Sequence, residues 1–491
     1  MEQHPVLAAV DLGSNSFRLQ VAKVEGEQLY MLDGLREPVR LAAGLTADNY
    51  LDEAAQQRAL AALARFGERL RDLPPEAVRV VGTNSLRVAE NAAEFIAQAE
   101  QVLGFPIEVI AGREEARLIY MGVAHGLPQS DDQLLVMDIG GGSTEFIIGH
   151  GLTPLKLESL YMGCVSVSSR YFPEGKITKQ NLARAELAAR SELQNIVADY
   201  KGQWQKAIGS SGTAKAIVEI LEMNGWSRSG ITREGLELFR AHLLKVGDVH
   251  KLTLLGLRPD RLPALAGGFA IMYAAFDELG IQHMQLGLSA LREGVLYDLW
   301  GRFHNNDMRD VTVRHFMRRY HVDVKQVARV TTLSDVLARQ FFGAEVNTPA
   351  LQVLGWVANL HGVGIRVAHN GYQKHTAYIL ANADMPGFSK KEQNRLSLLA
   401  LAHRGSLKKL QGLLTEPEDF LLVMSLRLAA LFYRNRSDVV LPEMTASCNG
   451  VHFSLAIDAG WLKQNPLTET ALQEEVKQWK SLGVVIQLIK K

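Results

Sequence analysis

Two stretches of the chain share one grammar: an apolar run, an aspartate, a loop of small residues, then a second apolar run. The first is AAVDLGSNSFRL at 8–19 and the second VMDIGGGSTEF at 136–146. A carboxylate that closes a buried strand sits at the carboxyl edge of a sheet, where open α/β folds bind ligands. Neighbouring glycines let backbone N–H groups approach an anion with no β-carbon in the way. A lone GGGS is more simply a tight hairpin. Two copies, with Asp11 and Asp138 at the same place in each, argue for a duplicated domain whose loops hold phosphate oxygens beside a metal ion. Neither copy ends in the G-K-[ST] of a P-loop. Each is followed by a strand, whereas a dinucleotide fingerprint opens a helix.

The rest of the chain supplies the frame. At 491 residues it is too long for a single core. Segments up to about residue 300 alternate between strand-like and helix-like patterns, which predicts α/β domains with substantially parallel sheets. Residues 306–440 carry helical stretches with few glycines, and the last portion, from about 445, reads as a strand pair around Asn449–Gly450, a helix and a closing strand. The expected division is therefore 1–125, 126–305, 306–443 and 444–491. Lys+Arg and Asp+Glu balance at 53 each, so net charge gives no hint of nucleic acid or membrane. The two cysteines, Cys164 and Cys448, fit a reducing compartment and exclude a disulfide scaffold. No signal peptide and no run of about 18 apolar residues is evident, so the expected location is the cytoplasm, with peripheral membrane association left open.

Three further segments carry chemistry-bearing residues. GSSGTAK at 209–215 follows a strand and opens a helix, so the N–H groups of Ser211, Gly212 and Thr213 would face an anion. GTNSLR at 82–87 has the same flavour and adds Arg87. AGREEARL at 111–118 places Glu114 and Glu115 where a strand turns into a helix. Acids in a first helical turn are commonly there for the helix dipole. A glutamate so placed can also align and deprotonate a water.

Taken in order, DLGSNSFRL, GTNSLR, GREEARLIYMGV, DIGGGSTEF, MGCVS, GSSGTAKA and ALREGVLYD resemble the exopolyphosphatase / guanosine pentaphosphate phosphohydrolase family, of the actin–hexokinase–Hsp70 superfamily. The resemblance runs through 1–300 and continues across 362–389 into the long, four-domain branch. It implies an α/β fold with two duplicated actin-like (ribonuclease H-like) domains, then a helical HD-like domain and a small C-terminal α/β domain. It implies a phosphoric anhydride hydrolase, most like an exopolyphosphatase, that releases orthophosphate from inorganic polyphosphate with Mg²⁺; whether K⁺ assists is left open. Hydrolysis of pppGpp to ppGpp is the alternative within the family, and a non-catalytic regulator binding guanosine penta- and tetraphosphate is a third.

The resemblance also implies roles. Glu115 matches the glutamate that activates water, with Glu114 in reserve. Asp138 matches the metal-associated aspartate and Glu145 an acidic residue near that metal. Asp11, Ser14, Asn15, Ser16, Gly140, Gly141, Gly142, Ser143, Ser211, Gly212 and Thr213 match phosphate-cradling positions, and Arg87 a phosphate-contacting arginine. A homodimer is expected. Two departures stand out. The turn GLSALREGVL at 287–296 is two residues shorter than the family pattern, and His361 is followed by Gly362 where HD enzymes have aspartate. His361, His375 and His403 are then better read as core or phosphate-facing histidines than as metal ligands. A long polyanion needs a positive track, and His375, Arg404, Lys408 and Lys409 are its candidates in the helical region.

Overall fold

The computed structural model describes residues 6–26, 28–128, 130–303 and 307–491. The chain packs as two compact units, Met1–Met308 and Arg309–Lys491. The first begins with a meander, β1 (Val6–Leu12), β2 (Phe17–Glu25) and β3 (Gln28–Glu37). After α1 (Glu53–Leu70) come β4 (Val78–Gly82), α2 (Asn84–Val88), α3 (Ala92–Leu103) and β5 (Ile107–Val109). α1 forms because Asp52 caps it, accepting from the Ala55 N–H at 2.6 Å, and because Ala55, Ala59, Leu63, Phe66 and Leu70 recur on one buried face. α4 (Gly112–His125) then leads into the second half.

The plan repeats. β6 (Gln133–Ile139), β7 (Thr144–His150) and β8 (Thr153–Leu160) form a second meander. α5 (Cys164–Tyr171), α6 (Lys179–Tyr200), β9 (Lys206–Ser210) and α7 (Ser211–Met223) follow. β10 (Ile231–Thr232), α8 (Arg233–Val246), α9 (Leu262–Leu279), β11 (His283–Leu286) and α10 (Leu291–Phe303) complete it. The sheets run β3-β2-β1-β4-β5 and β8-β7-β6-β9-β11-β10. In both, the first three strands are antiparallel and the next two parallel to the first. The sheets are therefore mixed, where the alternation of segments predicted largely parallel ones. The loops after β1 and β6 are too short for a crossover, so these strand pairs must be hairpins. Register makes the duplication concrete: Asp11 faces Arg18 across the first hairpin, and Asp138 faces Glu145 across the second.

α4 and α10 pack backbone to backbone, and two glycines make this possible. A β-carbon on Gly294 would lie 1.8 Å from the Leu118 carbonyl oxygen, and one on Gly122 would lie 2.0 Å from that of Ala290. Because both neighbours are backbone, Gly294→Ala is expected to cost at least about 1–3 kcal/mol and to lower the melting temperature; an unchanged melting temperature would refute this close contact. Pro259–Leu279, which contains α9, is long and apolar enough to cross a membrane, alone in this among the described residues. The sequence reading found no such run. Here it is core: Phe269, Ile271, Met272 and Phe276 are buried with Leu193 and Phe239.

In the second unit, α11 (Met308–Arg319), α12 (Val324–Phe342), α13 (Thr348–Leu360), α14 (Tyr372–Asn382), α15 (Lys390–Ala402) and α16 (Pro417–Phe432) form the helical part. β12 (Met444–Asn449) and β13 (His452–Ile457) make a hairpin, and after α17 (Ala459–Gln464) and α18 (Pro466–Lys480), β14 (Val485–Lys490) adds parallel to β13. The segments 306–443 and 444–491, expected as separate domains, share one hydrophobic core: Phe341 meets Phe453 at 5.1 Å, and Trp479 is fully buried with both.

Candidate active site

The carboxyl ends of β1, β6 and β9 and the first turns of α4 and α10 open onto one cleft. Its walls include Asp11, Ser14, Asn15, Ser16, Glu115, Asp138, the 140–143 loop and Ser211–Thr213. The two Asp loops, far apart in sequence, thus meet. Arg87 and Glu145 stand behind the wall and reach the cleft through neighbours.

Both hairpin loops are anchored by their carbonyls. The Cys164 N–H donates to the Gly140 oxygen at 2.9 Å, and those of Val165 and Ser166 donate to the Gly141 oxygen at 3.0 and 3.2 Å. In the other half, the Ala42 and Arg40 N–H groups donate to the oxygens of Ser14 and Asn15, each at 2.9 Å. A trans peptide points its N–H opposite to its carbonyl. With these carbonyls tied down, the N–H groups of Gly141, Gly142, Asn15 and Ser16 point away from their anchors, and all four residues line the cleft. The third turn is strained: Ser211 sits at φ 77°, a left-handed conformation unusual for a non-glycine residue, with its hydroxyl donating to the Ile139 oxygen at 3.1 Å.

The Glu-Glu pair splits. The Glu115 Oε2 accepts from Arg87 Nη1 at 2.7 Å, and Arg87 also donates to the Ile110 oxygen at 3.0 Å. Glu114 turns away, accepting from Arg117 Nε and Nη2, both at 2.8 Å. Glu115 is therefore the member of the pair presented to the cleft, and Glu114 belongs to the framework.

Acidic and basic groups crowd the site. Burial pushes the Asp138 carboxyl up to about 6, against the Ser210 hydroxyl, and pushes Glu145 well above the usual range, with Glu115 and Asp138 adding to the rise. The Ser159 hydroxyl donates to Glu145 at 2.7 Å. Burial also raises Asp11 to about 7, opposed by Arg18. A raised carboxyl keeps its proton in the folded state after the unfolded chain has lost it, so the stability contributed by Asp11 falls as pH rises from about 4 to about 7. Asp11→Asn is accordingly expected to raise the melting temperature at pH 8 and to leave it nearly unchanged near pH 4. A variant that melts lower than wild type at pH 8 would contradict this.

Three arginines that the sequence reading passed over also line the cleft: Arg18, Arg261 and Arg292. Arg18 is pushed down to about 10 by burial and by Arg292 beside it, and Arg261 is lowered by burial and by Arg36. Among the described residues, neither Arg18 nor Arg261 has a carboxylate ion-pair partner. One signal could have found Arg18: it occupies in the first hairpin the register position of Glu145 in the second. Arg292 lies within ALREGVLYD, whereas Arg261 belongs to no motif.

The second unit holds the remaining candidates. Arg404 is exposed over the Tyr372 ring at 5.3 Å, Lys408 and Lys409 are exposed, and His375 is half-buried on α14. His361 and His403 are buried with ring centroids 5.3 Å apart, and their Nδ1 atoms lie 2.6 and 2.5 Å from the Ala358 and Ala400 oxygens. Burial lowers both, His403 to about 3.

The family description "Ppx/GppA phosphatase family" matches residues 20–303, and "Ppx/GppA phosphatase, domain III" matches 308–476. The chain belongs to the Ppx/GppA phosphatase family. A relative from Pseudoalteromonas translucida (strain TAC 125), named guanosine-5'-triphosphate,3'-diphosphate pyrophosphatase, is 40% identical over 492 residues, 98% of each chain. An exopolyphosphatase structure from Cytophaga hutchinsonii superimposes with TM-score 0.55 at 23% identity, covering 60% of this chain and 98% of that one. The Aquifex aeolicus Ppx/GppA family member does so with TM-score 0.52 at 23% identity, covering 62% and 99%. The shared fold is the actin-like pair of α/β domains expected from the sequence. As a Ppx/GppA protein the chain is a phosphoanhydride hydrolase.

Proposed function

We propose that this Ppx/GppA protein removes the terminal phosphoryl group of inorganic polyphosphate as orthophosphate. The observation that carries the reading is the cleft lining: N–H-bearing loops, three arginines and carboxylates, with no aromatic ring among the described lining residues. Such a surface recognises phosphate oxygens and offers no ring on which a base could stack. A second reading, hydrolysis of pppGpp to ppGpp, is favoured by the name of the Pseudoalteromonas relative at 40% identity.

In this reading Glu115 accepts a proton from the water that attacks the terminal phosphorus, and Arg87 holds the carboxylate in place. The loop N–H groups bind the oxygens of the transferred group, and Arg18, Arg261 and Arg292 neutralise the rest of the anion. Among the described residues, no three His, Cys, Asp or Glu side chains gather as a metal cage. Asp138 and Glu145 fit Mg²⁺, which commonly takes one or two carboxylates and fills its shell with waters and substrate phosphates. Asp138, with Glu145 paired across the hairpin, would hold it, and when bound it offsets charge on the phosphate oxygens. Mg²⁺ added to chelator-treated protein is expected to raise the melting temperature, and Asp138→Asn to abolish that rise. If the rise survived in Asp138→Asn, the ion would have to sit elsewhere.

Phosphate release from long-chain polyphosphate and from pppGpp, measured side by side, tests the reading. Faster turnover of polyphosphate supports it, whereas preference for pppGpp would replace it with the second reading.

A further inference from the structure

Behind the cleft, the turn that carries Glu115 rests on a buried ionic cluster drawn from four elements. Arg79 on β4 donates to Asp298 on α10 at 2.6 Å and to Glu108 on β5 at 3.0 Å. Arg117 on α4 holds Glu114 with a two-pronged contact and reaches Asp298 at 2.5 Å. Arg302, one turn beyond Asp298, approaches it at 3.5 Å. Arg79, Glu114, Arg117 and Asp298 are buried, and the six charges balance.

A buried ion network contributes little net stability compared with apolar packing, because desolvating each charge offsets the attraction. What it does impose is one geometry, since a guanidinium fork donates to two carboxylates only along fixed directions. The rest of the contact fixes no such direction at the first turn of α4: Gly122 and Gly294 meet backbone, and the stacked pair of His125 and Tyr297 lies toward the other end of α4. Both helices enter the cleft by their first turns, α4 with Glu115 and α10 with Leu291 and Arg292. A shift of one helix along the other would move the Glu115 carboxylate relative to Arg292.

We propose that Glu114, Arg117 and Asp298 are positioning residues for the hydrolysis, locking the first turn of α4 to α10 so that Glu115 and Arg292 keep a fixed spacing in the cleft. The proposal rests on the reading above in one respect, that Glu115 handles the attacking water.

The test uses two charge-balanced pairs in the full-length protein, Glu114→Gln/Arg117→Gln and Asp298→Asn/Arg302→Gln, so that neither leaves a lone buried charge. Should one pair fail to fold, the other carries the test. Three quantities are read: melting temperature, kcat and KM on polyphosphate, and amide hydrogen exchange across residues 112–118. Melting is expected to stay within about 5 °C of wild type. The kcat is expected to fall by about 10- to 100-fold with KM changed by less than about threefold. Exchange across 112–118 is expected to quicken while α6 keeps its protection. Wild-type kcat in a folded variant, with unchanged exchange at 112–118, would overturn the proposal, as would a loss of activity matched by equal loosening of α6. If wild-type protein hydrolysed neither polyphosphate nor pppGpp, the functional reading would fall. The exchange measurement would then decide the lock by itself, quickened exchange upholding it and unchanged exchange refuting it.

Discussion

Glu115→Gln should lower kcat for phosphate release by about 10²- to 10⁴-fold, the contribution ordinarily made by a positioned general base. The substitution keeps size and shape, and the amide oxygen can still accept from Arg87, which donates to the wild-type carboxylate at 2.7 Å. Ground-state binding of the phosphate chain should therefore be nearly untouched, and the loss should fall on kcat with little change in KM. A steady-state comparison of wild type and variant on polyphosphate checks this. If Glu115→Gln turned over at the wild-type rate, the water would have to be activated elsewhere, and among the described residues the further carboxylates on the cleft wall are Asp11 and Asp138.

Gly163→Ala should be nearly as damaging, through the 140–143 loop. Gly163 precedes α5 with φ −125°, a conformation open to any residue, so the demand is for space. A β-carbon there would lie 2.3 Å from the carbonyl carbon and oxygen of Gly141 and from the Gly142 nitrogen. These are backbone atoms of the loop whose carbonyls α5 anchors, and they have no rotamer with which to yield. The loop must move, and the N–H groups of Gly141 and Gly142 move with it. The expected result is a loss of about 100-fold in kcat/KM for polyphosphate, since an ångström of displacement at a reacting group costs about that much. Stability should fall by about 1–3 kcal/mol, visible as a lower melting temperature. A folded Gly163→Ala protein with wild-type kinetics would show that the 140–143 loop does not hold the reacting phosphate.

The two predictions draw on different kinds of legibility. Asp11, Asp138 and the glycines beside them could be read because their signals are local: an apolar run, an acid, then residues without side chains. The split of the Glu-Glu pair was only half readable. Adjacent helical residues project about 100° apart, so both cannot face one cleft. Which one does depends on how α4 lies against β8 and α10. Arg18, Arg261 and Arg292 come from a strand, the turn before α9 and the start of α10. Their convergence follows from strand order and helix packing, and no spacing in the sequence encodes it.

By itself, the sequence determined the duplicated hairpins, the alternation of elements that builds two sheets, the helical character of 306–440 and the aspartates and small-residue loops that reach the cleft. All are matters of periodicity, glycine placement and chain breaks within short windows. Tertiary structure alone decided that the three first-half strands are antiparallel in each sheet, that 309–491 closes around one core, and that an apolar helix is spent on the interior of the second α/β half. It also assigned Glu114 to a buried ionic cluster and Glu115 to the cleft. The reason is the same throughout: burial and ion pairing are settled between residues far apart in sequence, where side-chain direction and close backbone contact decide which neighbours can meet.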